Sequence, residues 1–210
     1  MKAAVLEGID RLVYKEVPDP VLSDPESLIV RVRACAVCGS DVRILHHGSP
    51  RVTPPQIIGH EIAGEVAAVG SAVTRFRVGD RVAVAGDVPC GECAFCRDGH
   101  ANNCRVNLAM GYQFPGGFAE LMLAPAQLLR YGPIHAIPEG LSYAEAALAE
   151  PLACAINGIE LAELALGESV VVIGTGPIGC MLIALARLRG AVPIMAIQRS
   201  RARLQAALDY

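Results

Sequence analysis

Four cysteines fall within one short stretch, Cys90-Gly-Glu-Cys93-Ala-Phe-Cys96 and then Cys104, and nothing else in the sequence restricts the fold as tightly. Gaps of two, two and seven residues let a single loop wrap one ion, and zinc takes thiolate sulfur in tetrahedral sets of four. The competing use of clustered cysteine is a disulfide framework, which suits oxidising compartments. The N-terminus, Met1-Lys2-Ala3-Ala4-Val5-Leu6-Glu7, meets an acid too early for a secretory leader, so a cytoplasmic chain is expected. Four thiolates leave no position for substrate or water, and they give the site a net negative charge that makes the ion a poor Lewis acid. The cluster is therefore expected to hold a structural zinc, with free thiols as the alternative.

At 210 residues, 53% hydrophobic and 19% charged, the chain can bury the core of one large or two ordinary domains. A net charge of −3 argues against a nucleic acid or an anionic membrane as partner, since either calls for a basic face. Glu168 and Arg187 bracket the longest apolar run, which leaves nothing of transmembrane length.

The first half is rich in Gly and Pro, with short apolar runs of strand character. Leu28, Val30, Val32 and Ala34 alternate onto one face, and 61–69 and 81–85 read as further strands bounded by glycine. An antiparallel β domain is expected there. After Pro138 the pattern changes. Ser142-Tyr-Ala-Glu145 has capping-box spacing ahead of an Ala/Leu/Glu-rich helix. Val170-Val-Val-Ile173 suits a buried parallel strand, a helix runs on to about Arg189, Gly190 stops it, and 191–197 reads as a second strand. Ser200 can cap a last helix. The expected division is 1–150 and 151–210.

Two further motifs carry chemistry. Cys38-Gly-Ser40-Asp41 follows a strand, Gly59-His60-Glu61 lies about twenty residues on, and Glu150-Pro151 stands where a helix begins. One thiolate, one imidazole and one carboxylate would leave a fourth position open on a site of no net charge, the arrangement of a catalytic zinc. Each residue alone also has a plain structural reading: a buried cysteine, a histidine satisfied in a turn, a helix-capping glutamate. The second motif is Gly174-x-Gly176-x-x-Gly179, between a strand and a helix, where glycines admit a tight turn and the helix start faces a pyrophosphate.

Taken in order, these motifs resemble the zinc-containing medium-chain dehydrogenase/reductase family, in particular its polyol, sorbitol and threonine dehydrogenase branch. The likeness rests on Cys38-Gly-Ser-Asp41, Gly59-His-Glu-x-x-Gly64 continuing to Gly70 and Val73, the four-cysteine loop, Gly116-Gly-Phe-Ala-Glu120, Glu150-Pro-Leu-Ala153 and the glycine loop. It implies α/β plus mainly-β architecture: a GroES-like catalytic domain with two zinc sites, then the first part of a Rossmann NAD(P)-binding domain that breaks off at Tyr210. It also implies Cys38 and His60 as catalytic zinc ligands, Glu150 as the third, Glu61 as an alternative or exchanging ligand, and Ser40 as the hydroxyl that receives the alcohol proton. The loop residues Gly174, Gly176, Pro177, Ile178 and Gly179 would hold the dinucleotide.

The sequence departs from the family pattern at two positions. Where many relatives place a relay histidine stands Arg43, which cannot act as a base, leaving water, His46 or His47 for proton exit. After the second strand, where an NAD enzyme places an acid, stands Gln198, followed by Arg199 with Arg201 and Arg203 close by; this leans toward the 2′-phosphate of NADP. The expected activity is oxidation of a secondary alcohol (polyol, sugar alcohol or amino alcohol), with a small-molecule alcohol or ketone as partner and a homo-oligomer as assembly. The alternative is a truncated, zinc-stabilised module without catalysis and with impaired cofactor binding.

Overall fold

The computed structural model describes all 210 residues, Met1–Tyr210. They divide into two compact units, Met1–Ala149 and Glu150–Tyr210.

In the first unit five antiparallel strands lie side by side in the order Ile134–Ala136, Arg81–Val84, Glu61–Val69, Leu28–Ala36 and Leu121–Ala124. A smaller sheet sets Lys2–Gly8 between Arg11–Glu16 and Gln56–Ile57. The core forms where the inward faces of the large sheet meet the helix Ala126–Tyr131, bringing together Leu28, Val30, Ile62, Val66, Val82, Met122 and Leu128. This is the expected mainly-β half. One detail of the pattern differs. Ala34 does not share a face with Leu28, Val30 and Val32, because the pairing register slips between Val32 and Ala34 and leaves Arg33 as an extra residue. Such a bulge inverts the alternation beyond it. Cys35 consequently continues the main core, and Ala34 packs with Ala63, Ala83 and Ile137 on the opposite side.

Ser142 caps a helix as its spacing predicts: its Oγ accepts from the Glu145 N–H at 3.2 Å, and Glu145 Oε2 accepts from the Ser142 N–H at 2.8 Å. That helix is only Tyr143–Ala146, and a second, Ala149–Leu161, starts with Pro151 in its first turn, where a missing N–H costs no intrahelical bond.

In the second unit Val170–Ile173 pairs in parallel with Ile194–Ile197, joined by the helix Pro177–Leu188. The second strand is shorter than expected because Pro193 has no N–H to donate. The expectation of a strand buried on both faces also needs correction. Val172 is 6% exposed beneath the helix, whereas Val171 is 50% and Ile173 81% exposed, and Met195 and Ile197 lie open beside them. One face of this two-stranded sheet has a layer over it and the other does not.

Candidate functional site

Pairing of Ala36 with Glu61 is what builds the first cluster. The strand Leu28–Ala36 ends there, Cys38 takes an extended conformation at the start of the helix Gly39–His47, and His60 and Glu61 stand at the beginning of the neighbouring strand. Side-chain ligand atoms of Cys38, His60 and Glu61 lie within 4.8 Å of one another. Gly59 sets up this approach. Its φ of +94° is open to glycine, and a Cβ there would lie 2.7 Å from the Phe118 ring.

Behind the cluster stands Asp41, which is 3% exposed. Its Oδ2 accepts from the Cys38 N–H at 2.9 Å, and its Oδ1 lies 3.5 Å from His60 Nδ1, near enough to pair charges but without the geometry of a formed hydrogen bond. One carboxylate therefore addresses both would-be ligands, and such support orients a metal-binding imidazole and leaves its other nitrogen for the ion. Burial alone would lower the His60 pKa, but Asp41 and then Cys38 outweigh it and raise it to about 9. Burial pushes the Glu61 carboxyl up, against the pull of His60 and Cys38. Ser40 presents a buried Oγ with no partner. Cys35, three residues before Cys38, packs against the main core and is not part of this cluster, and burial drives its thiol to about 12. Arg43 points to solvent, and His46 is engaged with Asp10 at 2.5 Å.

The second cluster unites Cys90, Cys93, Cys96 and Cys104 within 4.8 Å. A tetrahedral ion at Zn–S of about 2.3 Å requires sulfurs roughly 3.8 Å apart. Cys93 and Cys96 are at 3.5 Å, and Cys90 and Cys96 at 3.9 Å. Backbone N–H groups of Cys93 and Cys90 point at Cys90 Sγ and Cys104 Sγ at 3.4 and 3.3 Å, as suits thiolates. Although burial opposes it, the N–H groups of Asn107, Cys90 and Val106 bring the Cys104 thiol down to about 6. The donor set fits a structural zinc.

In the second unit Gly176 caps the helix Pro177–Leu188 with Pro177 at its first position, and Gly174 N–H bonds the Ile197 carbonyl at 2.8 Å. At Gly179 a Cβ would lie 1.9 Å from the Gly174 carbonyl, so only glycine permits the turn. Ile178 is 43% exposed, and the Ile178 and Gly179 N–H groups of this first turn have no intrahelical partners. Gln198 Oε1 accepts from Arg199 and Ser200 N–H at 2.8 and 3.3 Å, while Arg199, Arg201 and Arg203 are exposed. Glu150 lies in the first turn of Ala149–Leu161, one turn from Cys154, whose Sγ is 3.7 Å from Glu150 Oε1. The role of Asp41 escaped the sequence reading; its place three residues after Cys38 at a helix start was the available signal.

Residues 24–134 match the family model for the alcohol dehydrogenase GroES-like domain. Among curated proteins, D-xylulose reductase A of Aspergillus oryzae is 37% identical over 210 residues, covering 98% of this chain and 57% of that protein. Among solved structures, the alcohol dehydrogenase TADH of Thermus sp. ATN1 superposes with a TM-score of 0.90 at 35% identity, covering 100% of this chain and 61% of that one. A candidate zinc-binding dehydrogenase of Sinorhizobium meliloti 1021, solved bound to NADP, does so with a TM-score of 0.90 at 36% identity, covering 99% of this chain and 59% of that one. The chain thus spans somewhat over half the length of the relatives it matches.

Proposed function

This chain belongs to the zinc-containing medium-chain dehydrogenase/reductase family, with its alcohol dehydrogenase GroES-like domain, and on that premise we propose that it is a zinc-dependent oxidoreductase moving hydride between a secondary alcohol and NAD(P). The meeting of Cys38, His60 and Glu61 in front of a buried Asp41 is the observation that supports this most directly. Cys38 and His60 would hold the ion, Glu150 or Glu61 would supply the carboxylate, and Asp41 would fix the imidazole. Zinc bound there would polarise an alcohol oxygen and lower its pKa. The unpartnered Ser40 hydroxyl would accept the alcohol proton and hand it outward, since Arg43 cannot serve as a base.

The glycine loop, with Pro177 and Ile178, would seat a pyrophosphate on the helix N-terminus. Absence of an acid at Gln198, with Arg199 and Arg203 exposed beside it, favours NADP over NAD. Polyols, sugar alcohols and amino alcohols are the proposed substrate class, the cytoplasm the proposed compartment and a homo-oligomer the proposed assembly. No helix is long and apolar enough to cross a membrane. Polyol oxidation by the intact protein, followed with NADP and with NAD, tests the proposal. It predicts higher efficiency with NADP and loss of turnover in Cys38→Ala; a strong NAD preference would remove the 2′-phosphate assignment, and undiminished turnover in Cys38→Ala would remove the zinc-centred reading.

A further inference from the structure

The surroundings of the Cys38 cluster show one charged neighbour that the proposed chemistry leaves unused. The Tyr112 ring lies 5.8 Å from the His60 ring, centroid to centroid. Over the Tyr112 ring, at 4.7 Å from its centroid, sits the guanidinium of Arg51. One Arg51 N–H donates to the Asn107 carbonyl at 2.6 Å, which fixes the fork and leaves further N–H groups for another acceptor. Tyr112 is itself held, packing with Leu6, Ile44, Val52 and Ile58 while its carbonyl accepts from Gln56 Nε2 at 2.8 Å. A fixed cation thus stands one aromatic ring away from the imidazole of the cluster.

We propose that Arg51 recognises an anionic group on the substrate, so that the preferred alcohols are short hydroxylated chains ending in a phosphate or carboxylate. The inference rests on the proposed reading of Cys38, His60 and Glu61 as the reacting centre. Its physical basis is that a planar guanidinium stacked on a ring keeps its in-plane donors oriented, and such a fork matches the paired oxygens of a phosphate or carboxylate. A neutral polyol offers no charge to that fork. The span from the His60 ring to the guanidinium cannot exceed the two ring distances laid end to end, within reach of a four-carbon chain carrying a terminal anion.

The Co2+-substituted intact protein tests this, because d–d absorption reports a ligand arriving at the Cys38 site. Erythritol, erythritol phosphate and erythronate share a four-carbon skeleton and differ in charge. The inference predicts that at least one of the two anions titrates at roughly one-tenth of the erythritol concentration. Arg51→Gln should bring that ratio to about one. Equal affinity for all three compounds, or an anion preference that survives Arg51→Gln, would overturn the role of Arg51. No spectral change with any of them would overturn the reading of the centre itself, and the inference with it.

Discussion

Replacing Asp41 by Asn probes the candidate centre without touching a ligand. The side chain keeps an oxygen that can accept from the Cys38 N–H, now at 2.9 Å, but the atom facing His60 Nδ1 across 3.5 Å can become an amide N–H. That donor stabilises the imidazole with a bare Nδ1, placing the ring proton on the nitrogen that should face the ion. For a protonated His60 the lost attraction is about 5 kcal/mol at 3.5 Å for an effective dielectric of about 20, whereas the neutral, metal-binding ring loses only the support of its Nδ1–H. Relief of burying the Asp41 charge returns part of it. The net effect on metal affinity should be about 10- to 100-fold, the usual cost of removing such a supporting carboxylate, or about 1.4–2.7 kcal/mol. Competition with a chromophoric chelator measures it, and the four-thiol site is the internal control. An Asp41→Asn protein that binds metal at the Cys38 site as tightly as the parent would refute the orienting role.

Other perturbations follow from the same contacts. In metal-free protein His60 has its pKa raised from 6.5 to about 9, so its contribution to stability is full below about pH 6.5 and is lost as pH rises through 9; melting temperature should fall across that window and the fall should flatten in Asp41→Asn, whereas an identical slope in both would contradict it. Gly59→Ala should cost about 2–4 kcal/mol in urea denaturation, because it combines a φ of +94° with a clash at 2.7 Å from Phe118. Gly140→Ala, at φ +85° but in open space, should cost only about 1 kcal/mol; equal losses would mean the Phe118 contact is irrelevant. The 210-residue chain should self-associate in sedimentation through its uncovered apolar strands, and Ile173→Lys, at a position 81% exposed, should reduce association while changing stability by less than about 0.5 kcal/mol. A monomeric parent chain would count against that face being sticky.

What could be read from the sequence was what local spacing encodes. The four cysteines converge because one loop carries them all, and the glycine loop needs only the strand before it and the helix after. The strands Glu61–Val69 and Val170–Ile173 occupy the expected residues because each is a short apolar run closed by glycine. Long-range features were less visible. The extra residue at Arg33 depends on how a partner strand pairs, and it reversed the face assigned to Ala34. The stack of Arg51, Tyr112 and His60 depends on Tyr112, which is distant in the chain from the other two, and no periodicity marks it. Burial of Val170–Ile173 was overestimated because an apolar run reports what a strand could bury, not whether a second layer lies over it.

Zinc content per chain tests the two-site account most directly. It predicts two zinc ions in the purified protein, one lost in Cys38→Ala with the other retained, and the reverse loss in Cys93→Ala. A single zinc that survives Cys38→Ala would contradict the reading of Cys38, His60 and their carboxylate as a metal centre.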